Sequence, residues 1–285
     1  MAPSILALLL LAALVHAAWN LLAKQSKDKQ AFLWLTYGFS ALLFTPFLVI
    51  YELALPGQAW LLVFLSAAAE VGYCLALGRA YERADYSLVY PVARGSAPPL
   101  IALWAALFLA ERPTLGALVG IVLVVAGILV MGRTVVPVRR IGWRANMAGG
   151  IASALLVSLF ISTYTTVDKA ALAYVAPPPY IALVMAATTV MLAPFHRRRL
   201  GTAVAEWRQN WARVVAVAAL LMLGYTMVLF AMQQTQVGYV GAIREVSVVF
   251  AAVLGWRLLG EPFGLVRTAA AALMFAGTVL IATFG

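Results

Sequence analysis

The chain has 285 residues, of which 65% are apolar and only 11% charged, and its mean hydropathy is +0.97. A soluble domain carries about 25% charged and 45–50% apolar residues, so this composition excludes a water-soluble enzyme or a nucleic-acid-binding domain. The net charge of +10 therefore reads as basic cytoplasmic loops of a membrane protein rather than as a surface for an anionic partner.

At ~20 residues per crossing, ten crossings take roughly 200 residues and leave about 85 for loops and termini, too few for a separate soluble domain. The chain is expected to be one all-α polytopic membrane unit. Met1-Ala2-Pro3-Ser4 puts no basic flank before the first apolar run, which reads as a spanning helix and not as a cleaved signal peptide. Apolar runs and their breakers predict ten helices, at 3–24, 31–52, 58–81, 86–109, 114–132, 145–168, 178–196, 210–233, 238–259 and 263–284. Lys24–Lys29 is a charged turn and Leu55-Pro56-Gly57 a reversal. Glu111-Arg112-Pro113 and Glu261-Pro262 each end one helix and open the next, because proline fits the first helical turn. Pro177-Pro178-Pro179 and His196–Arg199 flank the seventh helix. Cys74 is the single cysteine, which leaves no intrachain disulfide and no thiolate metal site.

The two halves resemble each other. A shift of 150 residues places Arg94 on Arg244, Glu111 on Glu261, and Ala126-Gly127 on Ala276-Gly277. A shift of 145 places Trp19 on Tyr164 and Lys24 on Lys169. These matches indicate duplication of a five-helix unit, 1–136 and 137–285. An odd helix count sets the units in opposite orientations, a design in which substrates bind near the midplane between the halves.

Basic residues orient the molecule. The loops after helices 1, 3, 5, 7 and 9, with the adjoining helix ends, carry fifteen Lys/Arg, whereas those after helices 2, 4, 6 and 8 carry only Arg112 and Lys169. The first set is expected in the cytoplasm, with both termini outside.

Few ionisable residues lie inside the predicted helices, and such groups face a partner or a cavity. Glu70 in helix 3 and Arg94 in helix 4 fall at depths of roughly 15 and 12 Å, at 1.5 Å per residue, so they could meet across the hairpin. They either fix packing as an ion pair or hold a charged or zwitterionic substrate. Arg244 and Glu245 in helix 9 point about 100° apart, so at least one must look elsewhere. His16, Trp19 and Asn20 share one face of helix 1, at i, i+3 and i+4. Trp19 and its counterpart Tyr164 would face one another across the pseudo-twofold axis. Tyr73, Tyr81, Tyr90, Tyr225 and Tyr239 add aromatic surface on helices 3, 4, 8 and 9. Trp34, Trp60, Trp143, Trp207 and Trp211 read as interfacial belts. Ala67-Ala68-Ala69, Gly72 and Gly149-Gly150 read as close helix contacts.

The paired units carry Ala110-Glu111-Arg112-Pro113 and Gly260-Glu261-Pro262 after the fourth helix of each. Their fifth helices carry Gly120 with Ala126-Gly127, and Ala270 with Ala276-Gly277. With these features the chain resembles EamA-type members of the drug/metabolite transporter superfamily over essentially its whole length, and its YddG-type amino-acid exporters most. It departs in having Pro98-Pro99 only in the first unit, and Glu245 where the first unit has Gly95. The resemblance implies a secondary transporter of the bacterial inner membrane. It would export amino acids, aromatic ones included, and related small metabolites by alternating access. Its substrate-binding residues would come from those named above. No cofactor, metal or nucleic acid is expected, the partners are substrate and lipid bilayer, and the unit would work as a monomer.

A multidrug cation exporter is the alternative, although helix 1 lacks the carboxylate such small relatives carry, and Glu70 would have to substitute. A membrane-embedded lipid enzyme would want clustered carboxylates or several histidines, and the chain has two histidines far apart. A channel would want a polar lining through the full thickness, whereas these charges are few and staggered. On the basic-loop count, alkaline phosphatase fused after Gly285 is expected to be active and fused near Arg140 to be silent. The reverse pattern would overturn the orientation.

Overall fold

The computed structural model describes residues 1–24, 26–51, 55–83, 86–132, 143–197, 200–259 and 264–285. They form helices and connecting turns: α1 (Pro3–Lys24), α2 (Lys29–Ile50), α3 (Gly57–Arg83), α4 (Tyr86–Phe108), α5 (Leu115–Gly132), α6 (Trp143–Ala171), α7 (Pro177–His196), α8 (Leu200–Gln234), α9 (Val237–Arg244), α10 (Ser247–Leu259) and α11 (Leu265–Phe284). Among the described residues, eight stretches are long and apolar enough to cross a membrane, and Val92–Phe108 and Leu115–Val130 are shorter apolar helices. Large apolar side chains such as Leu42, Phe64, Leu107, Val122 and Phe275 point outward, as lipid-facing surface does.

Local chemistry sets the helix ends. The Asp28 carboxylate accepts from the backbone N–H groups of Gln30 (3.1 Å) and Ala31 (3.0 Å), capping α2. Pro177 and Pro178 open α7, where a missing N–H costs nothing. After α4, Ala110 adopts a left-handed conformation (φ 55°), a strain of order 1 kcal/mol outside glycine. The loop places the Glu111 carboxylate on the backbone N–H of Val237 (2.8 Å), the first residue of α9. Burial lifts the Glu111 carboxyl above the ordinary carboxylate range, opposed by that N–H and by the Lys169 ammonium 3.9 Å away.

Two expected boundaries are corrected. The ninth predicted helix is two helices, because the chain tightens into i→i+3 hydrogen bonds between Ala242 and Val249. The eighth begins ten residues early, at Leu200, and bends at Asn210 (φ −132°), so the expected loop 200–209 is helical. Buried Glu206 holds that segment in place by accepting from Asn210 Nδ2 (2.8 Å) and, at 3.4 Å, from the Asp28 N–H.

The main packing pairs are reciprocal. α1 lies on α8, α9 and α10, as α6 lies on α3 and α4, while α2 meets α7, α4 meets α9 and α5 meets α11. Exchanging the first five helices for the remainder maps these pairs onto one another. The α5–α11 contact is antiparallel: Gly120 abuts Gly277, and Gly127 abuts Ala270. Met1 N donates to the Ala282 carbonyl at 2.9 Å, so the two ends lie together.

A Cβ on Gly277 would stand 2.5 Å from the Gly120 carbonyl oxygen, and one on Gly120 2.7 Å from the Gly277 carbonyl. Backbone cannot yield as a flexible side chain can. Gly277→Val is expected to force α5 and α11 apart and destabilise by about 1–3 kcal/mol, read as a lowered melting temperature in detergent. Gly201→Ala, with nothing within 4 Å, should leave it unchanged or slightly raised.

Candidate functional site

A cavity of about 100 Å³ lies between the helices of the two halves. α1 contributes His16, Trp19 and Asn20, α2 Tyr37, α3 Glu70 and Tyr73, and α4 Arg94; α6 contributes Tyr164 and Asp168, α8 Tyr225, α9 Arg244, and α10 Ser247. The pairs Glu70/Tyr73 and Tyr164/Asp168 sit at i+3 and i+4, so each pair shares a helix face.

Charge meets charge in an arrangement that corrects the sequence reading. Arg94 does not pair with Glu70. Its Nη1 lies 3.1 Å from Glu245 Oε1, and its Nη2 lies 2.9 Å from His16 Nε2. A guanidinium has no acceptor, so the imidazole nitrogen facing it must accept, and His16 is neutral with its proton on Nδ1. Arg94 is turned toward α1 and α9, whereas Glu70 is turned toward α2, where Tyr37 Oη donates to Oε1 at 3.4 Å. Similar depth placed these two residues at one level, but the rotation of each helix about its axis sends them to different neighbours.

Arg244 and Glu245 diverge, as adjacent helical residues must. Glu245 is buried, and its Oε2 accepts no hydrogen bond. Arg244 lies over the Tyr225 ring, 5.1 Å from the centroid. His16 meets Trp19 edge-on at 4.9 Å, and Tyr73 meets Tyr164 edge-on at 6.2 Å. Asn20 is exposed and donates from Nδ2 to the His16 carbonyl at 2.8 Å, within its own helix.

Not every candidate reaches the cavity. Tyr239 is buried elsewhere, its hydroxyl accepting from the Thr114 N–H at 3.2 Å. Glu245 touches the site only through Arg94. The side chains of Tyr81 and Tyr90 lie outside the described residues. Of the tryptophans read as belts, Trp34 stacks on His196 at 5.1 Å and Trp207 on Phe39 at 4.4 Å, while Trp60 and Trp211 are exposed.

The cavity also holds residues absent from the sequence reading. Asp168 is 1% exposed. It accepts from Ser66 Oγ and Tyr180 Oη at 2.5 Å each, and from Tyr225 Oη. The available signal was a carboxylate four residues after Tyr164, on the same helix face. The expected end of helix 6 was 168, yet α6 continues to Ala171. Tyr37 and Ser247 carry no comparable signal, because only packing turns them inward.

The Arg94–Glu245 contact generates a stability prediction. Removing one member leaves a charge uncompensated in a low-dielectric interior, so Arg94→Leu is expected to destabilise by about 3–5 kcal/mol. Arg94→Leu combined with Glu245→Leu should recover most of that loss, since neither charge remains. Melting curves of the three variants in detergent decide whether the two residues are coupled.

Comparison with known proteins accords with this architecture. The sequence pattern of the EamA-like transporter family matches residues 3–133 and again residues 148–283. No curated protein matches the chain. A solved structure described only as the crystal structure of a protein superposes with a TM-score of 0.80 at 18% identity, covering 99% of each chain; at that identity it speaks for the fold alone. With its paired matches and its apolar helices, the chain belongs to the EamA-like transporter family, multi-pass membrane transporters of the drug/metabolite transporter superfamily.

Proposed function

We propose that this protein exports amino acids, aromatic ones included, and related small metabolites across the bacterial plasma membrane by alternating access. It acts as a monomer and without a cofactor. The observation that carries this reading is the cavity itself, where Arg94, Arg244, Glu70 and Asp168 gather among aromatic walls. A zwitterion leaving water needs a donor for its carboxylate and an acceptor for its ammonium, or each charge costs several kcal/mol even after relaxation. Charges of both signs in one cavity meet that need.

The architecture proposed for it is ten crossings in two inverted repeats, 1–136 and 137–285, with α9 and α10 together making one crossing. The antiparallel α5–α11 contact, the reciprocal packing pairs, the ends lying side by side and the paired family matches support this arrangement. Inverted halves can rock against each other around a site at their interface.

A cation exporter is favoured by Glu70, Asp168 and the aromatic rings, but two arginines in the same cavity would repel its cargo. Counterflow in proteoliposomes distinguishes the readings. Preloaded unlabelled amino acids are expected to accelerate uptake of labelled phenylalanine, and cationic drugs are not. Acceleration by the cations alone would overturn the amino-acid reading.

A further inference from the structure

We infer that Arg244 and Glu70 are the pair that grips the cargo, Arg244 taking the carboxylate and Glu70 the ammonium of a zwitterionic amino acid, an assignment that rests on the amino-acid reading above. The four charged residues of the cavity differ in what hydrogen bonding they have left to offer. Arg94 is engaged by Glu245 and His16. Asp168 accepts three hydroxyl hydrogen bonds over its two oxygens, most of the about four sites a carboxylate offers.

Glu70 accepts one long bond, 3.4 Å from Tyr37, on Oε1 alone. Arg244 stacks on Tyr225, a contact that uses a guanidinium face and none of its N–H groups. No ion pair joins Arg244 to Glu70, although both line one cavity. A fork of N–H donors and a carboxylate facing shared space, neither of them in an ion pair, is an arrangement completed by a ligand carrying the opposite charges. The Tyr225 ring lies beside the guanidinium, and its hydroxyl is itself held by Asp168. A guanidinium offers a carboxylate two parallel hydrogen bonds.

The two gripping residues come from different halves, Glu70 from α3 and Arg244 from α9. Cargo therefore supplies a bridge between the halves that the empty protein lacks, whereas the Arg94–Glu245 bridge is present without cargo.

The test uses the full chain in proteoliposomes with three probes: phenylalanine, phenylalanine amide, which lacks the carboxylate, and 3-phenylpropionate, which lacks the ammonium. Wild type is expected to prefer phenylalanine over each analogue by about tenfold or more, the size of a charge-assisted hydrogen-bond contribution. Arg244→Gln should lose the preference over the amide and keep that over 3-phenylpropionate. Glu70→Gln should do the converse. Should either glutamine variant fail to fold, Arg244→Lys and Glu70→Asp keep the charge, shift its reach, and should lower the same ratio by a smaller factor. Folded variants of wild-type melting temperature that keep both preferences, in whichever substitution folds, overturn the pairing alone. A wild type that moves no amino acid overturns the amino-acid reading and the pairing with it.

Discussion

A charge carried into the bilayer interior has to find a partner on another helix or face a cavity, and the arrangement of this protein follows from that requirement. Insertion scales put the cost of such a charge at about 2.5–3.5 kcal/mol, and an uncompensated one costs more once the interior is packed. Arg94 meets that requirement through Glu245, 151 positions away, and so ties the first half to the second. Asp168 ties α6 to α3, α7 and α8 through Ser66, Tyr180 and Tyr225. Lys169, one residue on, donates to the carbonyls of Met232 and Thr235 at the end of α8 and approaches Glu111. Apart from Asp168–Tyr180, each of these contacts joins residues more than 50 positions apart.

The break between α9 and α10 falls at one of these charges. Glu245 caps α9 at the tightened turn and lies 3.1 Å from Arg94. What remains is held by close apolar contact. In lipid the hydrophobic effect gives helices little reason to associate, so small residues that let backbones approach take over that role. Gly120 and Gly277 are in direct backbone contact at the α5–α11 crossing, a rigid seam beside the cavity-bearing helices.

Part of the candidate site was legible before the fold was known. The i, i+3, i+4 face of His16, Trp19 and Asn20 reaches the cavity because helical periodicity alone puts them together. The divergence of Arg244 and Glu245 follows from the same 100° step. Trp19 and Tyr164, matched by position in the two halves, both line the cavity. Other expectations failed for identifiable reasons. Glu70 and Arg94 share a depth but not a direction. Asp168 lies on α6, which runs three residues beyond its expected end. Tyr239 is aromatic and intramembrane, yet it serves the loop after α4 rather than the cavity.

Helix existence and approximate ends depend on runs of apolar residues, prolines and polar breakers, all of which are local. The sequence by itself therefore determined an all-helical membrane protein, most of its helices, and the internal similarity of the halves. Position along each helix was readable too, since each residue advances a helix by a fixed rise. The rotation of each helix about its own axis was not, because it is set by how ridges, glycines and charges of several distant helices fit at once. Only the tertiary structure decided that Arg94 turns to Glu245 and His16, that Asp168 gathers three hydroxyls, and that Arg244 and Glu70 line the cavity outside any ion pair.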